Sequence, residues 1–183
     1  MFAVTPRTLL RPGWPEDASA LFAAINDQAI VRNLTRAPWP YRLDDARQFL
    51  SLPAEHASPR WLIFSRTDGA PQLVGCIGID AQDNGDVELG YWISRRHWGR
   101  GYATEAGRAV LENARALGHK RLVASHFIDN PASAAVLHKL GFQPTGHTVG
   151  RFSRGRNREV QAVEFSCLLE AEQECEVMRP LAA

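Results

Sequence analysis

The chain is 183 residues long, 45% hydrophobic and 22% charged, proportions that exclude disordered, collagen-like and coiled-coil organisation and predict a single folded domain. Lys plus Arg number 21 against 20 for Asp plus Glu, far from the basic excess of a chain held to nucleic acid through phosphates, so no nucleic-acid partner is expected. No apolar run approaches the ~20 residues of a membrane span, and the start MFAVTPRTLLRPGWPEDA lacks a signal-peptide pattern, so the expectation is a cytoplasmic protein with no membrane partner.

Residues 8–11 read as a first strand stopped by Pro12. Over residues 15–33 the apolar side chains Ala18, Leu21, Phe22, Ile25, Ile30 and Val31 recur at helical spacing with one longer step at Asn26-Asp27. That pattern predicts two short helices with a break between them. TRAPWPYR, residues 35–42, carries Pro38 and Pro40 beside Trp39 and Tyr41 and reads as a loop. Asp44 is expected to cap a further helix marked by Ala46, Phe49 and Leu50, its far end weakened by Pro53. Strands are expected over 61–65, 72–79 and 87–94, separated by the turn signals Asp68-Gly69 and Asn84-Gly85-Asp86, as an antiparallel meander. A helix over 101–117 buries Ala103, Ala106, Val110, Ala114 and Leu117 and stops at Gly118. A strand over 121–127, a helix over 131–140 stopped by Gly141, and a closing pair over 143–149 and 158–169 complete the chain. The class is α/β, in the mixed α+β sense.

Cys76, Cys167 and Cys175 form no Cys-x-x-Cys pair, and the six histidines show no His-x-x-x-His spacing with an acid between, so neither a metal site nor a disulfide framework is expected. The densest chemical signal is DVELGYWISRRHWGRGYATEA, residues 86–106, where a strand runs through a loop with Gly99 and Gly101 into a helix. The unpaired N–H groups of such a loop and of a first helical turn make a seat for phosphate oxygens, and Arg95, Arg96 and Arg100 add charge to the same arc. A P-loop would need Lys and then Ser or Thr after its last glycine, but Tyr102 and Ala103 follow Gly101. A dinucleotide fingerprint would need Gly or Ala at Thr104 and an acid at the end of the next strand, which reads SHF.

Arg96-His97-Trp98-Gly99-Arg100-Gly101 resembles the pyrophosphate-binding motif of the GNAT superfamily of acyl-CoA N-acyltransferases, Gln/Arg-x-x-Gly-x-Gly/Ala. DNPASAAVLHKLGF, residues 129–142, is similar to the superfamily's second signature. ELGYWI, RGYATEA, Ser133 and the early PWPY look like its RimJ/RimL branch. The resemblance implies a mostly antiparallel, twisted sheet of six to seven strands flanked by helices and splayed between the fourth and fifth. It divides one N-acetyltransferase domain, 1–183, into acceptor-side helices and loop (1–60), an acetyl-CoA-binding core (61–142), a closing hairpin (143–170) and a tail (171–183). It further implies acetyl-CoA as co-substrate, held by the backbone of Trp92, Ile93 and Ser94 along its pantetheine arm. Arg96, Trp98, Gly99, Arg100, Gly101, Tyr102, Ala103 and Thr104 would hold the pyrophosphate, Asn130 would bond the pantetheine arm as well, and Ser133 would also touch the cofactor. Asn130 followed by Pro131 is equally a helix cap, and the two roles can coexist.

Amide formation needs a deprotonated amine and a protonated thiolate leaving group. Strand alternation sets Val87, Leu89, Tyr91 and Ile93 on one side and Glu88, Gly90 and Trp92 on the other. Glu88 is thus an acid in an apolar strand, where burial would raise it toward the range of a general base; the alternative is a carboxylate paired with an arginine. Ser133 shares the spacing of Val136, Leu137 and Leu140, which puts its hydroxyl on a buried helix face as a proton donor or as a bond to the preceding turn. Leu137 stands where many superfamily members carry a Tyr, so Ser133 is the first candidate acid and Tyr91 or a water the second. On the resemblance, Trp39, Tyr41 and Glu88 would line the acceptor site. The implied acceptor is a protein N-terminal amine, with a small amine or antibiotic, or a non-catalytic acyl-CoA sensor, as alternatives, in a monomer or homodimer. RFSRGRNREV, residues 151–160, reads as a solvated basic hairpin open to the CoA 3′-phosphate or an acidic partner.

Overall fold

The structure, a computed structural model, describes residues 1–53, 58–67 and 69–169. The expected turn residue Asp68, Cys175 and the tail 171–183 lie outside the described residues. In chain order the elements are β1 (Ala3–Val4), β2 (Thr8–Arg11), a 3-10 turn (Pro15–Asp17), α1 (Ala18–Ile25), α2 (Gln28–Val31), α3 (Leu43–Ser51), β3 (Arg60–Ser65), β4 (Gln72–Ala81) and β5 (Val87–Ile93). A second 3-10 turn (Arg95–His97), α4 (Tyr102–Ala116), β6 (Arg121–Phe127), α5 (Pro131–Lys139), β7 (Gln143–Ser153) and β8 (Arg158–Leu168) follow. The break at Asn26-Asp27 falls between α1 and α2, where the Asp27 side chain accepts the Ala29 N–H.

The described strands join one eight-stranded sheet in the order β1-β2-β3-β4-β5-β6-β8-β7. The additional strand β1 pairs with β2 too briefly to leave a two-residue period in the sequence. The neighbours β1 to β5 run antiparallel, and β5 and β6 are parallel. β5 and β6 meet at a single register position, Glu88↔Val123, and part beyond it; β6 instead pairs along its length with β8. That is the expected splay, between the fifth and sixth strands once β1 is counted.

Alternation along the strands sends side chains to two cores. On one face Ile63, Ile77, Leu89 and Ile93 pack with Ala106, Val110 and Ala114 of α4 and Leu137 of α5. On the other, Leu62, Phe64 and Cys76 pack with Leu21, Ile25, Val31 and Tyr41 beneath α1 to α3. Each fully buried aliphatic side chain stabilises the fold by about 1.5–3 kcal/mol. Among the described residues no helix is long and apolar enough to cross a membrane.

Two local expectations are corrected. Arg42, not Asp44, is the N-cap residue of α3, because the Asp45 carboxylate reaches back to accept the Arg42 N–H at 2.7 Å. The arginine-rich turn between β7 and β8 is only partly solvated: Arg154 and Arg158 are exposed, but the turn is docked on the rest of the chain. Ser153 Oγ donates to Leu34 O, and Arg154 N–H donates to Thr35 O. The Arg156 side chain, 8% exposed, lies over the Phe127 ring and pairs with Asp129. A carboxylate and free carbonyls next to α2 and β6 supply what water would otherwise give these arginines.

Candidate active site

The loop after β5 is held from both ends. Ser94 N–H donates to Val74 O, Ser94 Oγ shares a 2.9 Å bond with His97 Nδ1, and Trp98 Nε1 donates to Ile93 O at 2.6 Å. Gly99 and Gly101 take φ of +73° and +82°, the left-handed region glycine enters without Cβ strain. Among the described residues no side chain caps α4, so Tyr102, Ala103 and Thr104 carry the unpaired N–H groups of its first turn. A Cβ on Gly99 would meet nothing within 4 Å, and Arg96 and Arg100 are exposed beside this open arc. The donor set and the clear approach fit a pyrophosphate.

One support of this loop left no mark in the sequence. Arg7, ahead of β2, donates through Nη1 to Arg100 O and through Nε to Glu105. Burial alone would push Glu105 up, but bonds from Thr5 and from the Arg7 amide and guanidinium outweigh it and hold the carboxyl below its ordinary value. The Tyr102 side chain lies inside the first core with its hydroxyl 3.2 Å from Ser65 Oγ, so Tyr102 offers the seat its amide and not its ring.

The backbone of residues 92–94 is divided between the two edges of β5. Ser94 N–H is used by Val74, and the Trp92 carbonyl faces Gly75, where a Cβ would sit 2.3 Å from it. Successive strand residues point their amides to opposite edges, so of the three residues expected to face a pantetheine arm, Ile93 faces the splay, and Trp92 and Ser94 face β4.

Across the opening, Tyr91 Oη lies 2.8 Å from Ser133 Oγ, either oxygen being able to donate, and within bonding distance of Ser133 O. Burial pushes the Tyr91 phenol up to about 12, the bond to Ser133 pulling the other way. Ser133 therefore meets a side chain from β5, not the preceding turn's carbonyl. Asn130 caps α5, its Oδ1 accepting the Ser133 N–H at 3.3 Å.

Glu88 stands at the vertex of the splay but not in an apolar surround. Arg151 Nη1 lies 2.9 Å from each of its oxygens, and Ser125 Oγ donates to Oε1 at 2.9 Å. Arg151 also approaches Glu164 at 3.9 Å. The alternation of β6 could have flagged Ser125; nothing in the arginine-rich run singled out Arg151, because its partner lies 63 positions away.

Of the two aromatics expected to line the acceptor wall, Trp39 is 37% exposed. Tyr41 is 6% exposed and packs in the second core, its hydroxyl pushed up to about 12 by burial and by the charge of Asp45; a proline-rich loop turns one ring out and the next one in. On the same face lies a cleft of about 560 Å³ that the sequence did not announce, lined by Asp27, Arg32, Arg95, Arg156 and Arg158 among others.

The acetyltransferase (GNAT) domain family matches residues 7–143. An uncharacterized N-acetyltransferase, YoaA of Bacillus subtilis (strain 168), is 33% identical over 148 residues, 78% of this chain and 82% of that protein. A GNAT-family acetyltransferase structure from Bacillus anthracis superposes with a TM-score of 0.79 at 22% identity, covering 93% of this chain and all of that one. RimL, a ribosomal L7/L12 alpha-N-protein acetyltransferase solved with coenzyme A, gives 0.76 at 19% identity, over 92% and 98% of the two chains. A spermidine N-acetyltransferase from Vibrio cholerae, solved with CoA and spermine, gives 0.70 at 19% identity, over 88% and 95%.

Proposed function

The chain belongs to the GNAT family of acetyltransferases, and on that premise we propose that it moves an acetyl group from acetyl-CoA directly to a primary amine, that of a protein N-terminus, in a single domain. The observation that carries the reading is the opening between β5 and β6, with a phosphate seat at one end, the Tyr91–Ser133 pair across it and a carboxylate at its vertex. The similarity to RimL supports the choice of acceptor; the RimJ/RimL flavour of the sequence agrees with it.

When bound, acetyl-CoA supplies the thioester whose C–S bond breaks as the new C–N bond forms. The first-turn amides of α4, the loop glycines, Arg96 and Arg100 bind its pyrophosphate, and the Ile93 amide orients its pantetheine arm. Glu88 takes the proton the ammonium must lose before its nitrogen can attack, directly or through one water. Arg151 and Ser125 hold that carboxylate in place by charge and hydrogen bond. Ser133 directs its proton at the departing sulfur. With Tyr91 donating into Ser133 Oγ, the serine hydrogen is free to point into the opening, and such a chained bond strengthens the outer donor. One of the two protons the nitrogen sheds is balanced by the thiol formed, and the other leaves to solvent from Glu88.

Thiol release from acetyl-CoA across N-terminal peptides, polyamines, aminoglycosides and amino acids, with product masses, tests the acceptor. Acetylation of peptide α-amines is the expected result. Selective acetylation of a small amine would replace the acceptor, and acetyl-CoA binding with silence across the panel would count against the peptide reading.

A further inference from the structure

We propose that the arginine-lined cleft binds the acidic stretch of the acceptor polypeptide, downstream of the amine that is acetylated; this rests on the protein N-terminal reading above. The cleft stands where β5 and β6 have come apart. Its walls are α2, Arg95 just past β5, and the β7–β8 turn.

Four guanidiniums face it, those of Arg32, Arg95, Arg156 and Arg158, and their carboxylate partners are two, Asp27 and Asp129. Asp129 is shared by Arg32 and Arg156, both at 2.7 Å, and these bonds hold it down to about 2. Arg95 lies 3.5 Å from Asp27 and is two-thirds exposed. Arg158 is exposed and makes no ion pair among the described residues. Among the described residues the excess charge is therefore not neutralised, and it sits on a rigid base. Arg156 is fixed by bidentate bonds to Asp129, a 2.6 Å bond to Arg32 O and the Phe127 ring. The Arg156 donors are taken up in this way, and those of Arg95 and Arg158 are open to carboxylates, which guanidiniums bind with charge-assisted, directional bonds.

Position selects the kind of acid. Glu88 is level with Val123, and Phe127, beneath Arg156, is four strand residues further along, about 13 Å at the rise of a strand. An amino acid, whose amine and carboxylate are separated by two bonds, cannot reach both places. An extended chain spans that distance in about four residues, so an amine at Glu88 brings the fourth residue and those after it to the arginines.

The test uses six-residue peptides with a free amine and the same first three residues, followed by Asp-Glu-Asp, Asn-Gln-Asn or Lys-Lys-Lys. Steady-state acetylation is measured together with calorimetric binding of each peptide to CoA-saturated protein. The acidic peptide is expected to show at least a tenfold lower KM than the neutral one and correspondingly tighter binding. Arg158→Glu and Arg158→Gln should erase that difference while leaving kcat, the neutral peptide and the KM for acetyl-CoA within about twofold. The Arg158 side chain is exposed and bears none of the core, so the variants fold. Equal KM values for acidic and neutral peptides, a loss that falls on acetyl-CoA, or preference for a free acidic amino acid or a phosphorylated small amine would each overturn the proposal. Tight binding of the acidic peptide without acetylation would instead sink the N-terminal acetylation reading and leave the cleft's ligand standing.

Discussion

The Arg151 guanidinium places one nitrogen 2.9 Å from each oxygen of Glu88, across the gap between the outermost hairpin and the vertex of the splayed sheet. The hairpin that looks like a basic surface element in sequence thus reaches the centre of the site. Glu88→Gln is expected to lower turnover at neutral pH by about 10²–10⁴-fold, with partial recovery at high pH, where free amine is abundant. A titration of acetyl-CoA binding should be unchanged, and an unchanged rate would remove Glu88 from the chemistry.

Arg151→Met leaves a largely buried carboxylate without its counter-charge. The expected cost is about 1–3 kcal/mol in urea unfolding. Adding Glu88→Gln should return part of that loss, because the second substitution removes the group left unsatisfied. Strict additivity of the two would show that the pair contributes nothing as a pair.

Ser133→Ala and Tyr91→Phe should each reduce kcat by about 10–10²-fold with little change in the KM for acetyl-CoA. The double variant should lose scarcely more than the worse single one, since the two hydroxyls act through one bond. Rates that multiply would mean that they act separately.

Asp129 carries a pH prediction. Its pKa is held at about 2 against an ordinary 3.8, first by hydrogen bonds from Arg156 and then by the charges of Arg156 and Arg32, burial acting in the opposite direction. A depressed folded value means stability present above the unfolded pKa and lost as pH falls through the folded one. Urea midpoints of the parent protein should therefore fall between about pH 4 and pH 2, and Asp129→Asn should flatten that part of the curve. Because the side chain is 39% exposed, the change will be small beside that from a buried pair.

Gly101→Glu tests the phosphate seat. Gly101 begins α4 at a φ of +82°, so any side chain there is strained, and a carboxylate would oppose a phosphate at the helix N-terminus. Calorimetry should show CoA binding weakened by at least about 100-fold, roughly 2.7 kcal/mol, in protein whose circular dichroism remains native.

Local patterns were sufficient for most elements and for the course of the loop through Gly99 and Gly101. The Asn26-Asp27 break, the glycines that stop α4 and α5, and the alternation of β5 are determined by neighbours a few residues apart, which a linear reading can see. Gly99 and Gly101 were legible for the same reason, since a loop that turns through left-handed glycines into a helix is built from consecutive residues. Tertiary structure alone decided the rest. Arg7 bracing the loop through Glu105, Tyr91 meeting Ser133, Arg151 reaching Glu88 and the cleft closed by Arg156 all join residues 42 to 124 positions apart. Tyr41 went into the core and Trp39 out of it by the course of one loop. Charge and hydrogen-bond partners are chosen by which strands lie side by side, and no period in the sequence encodes that choice.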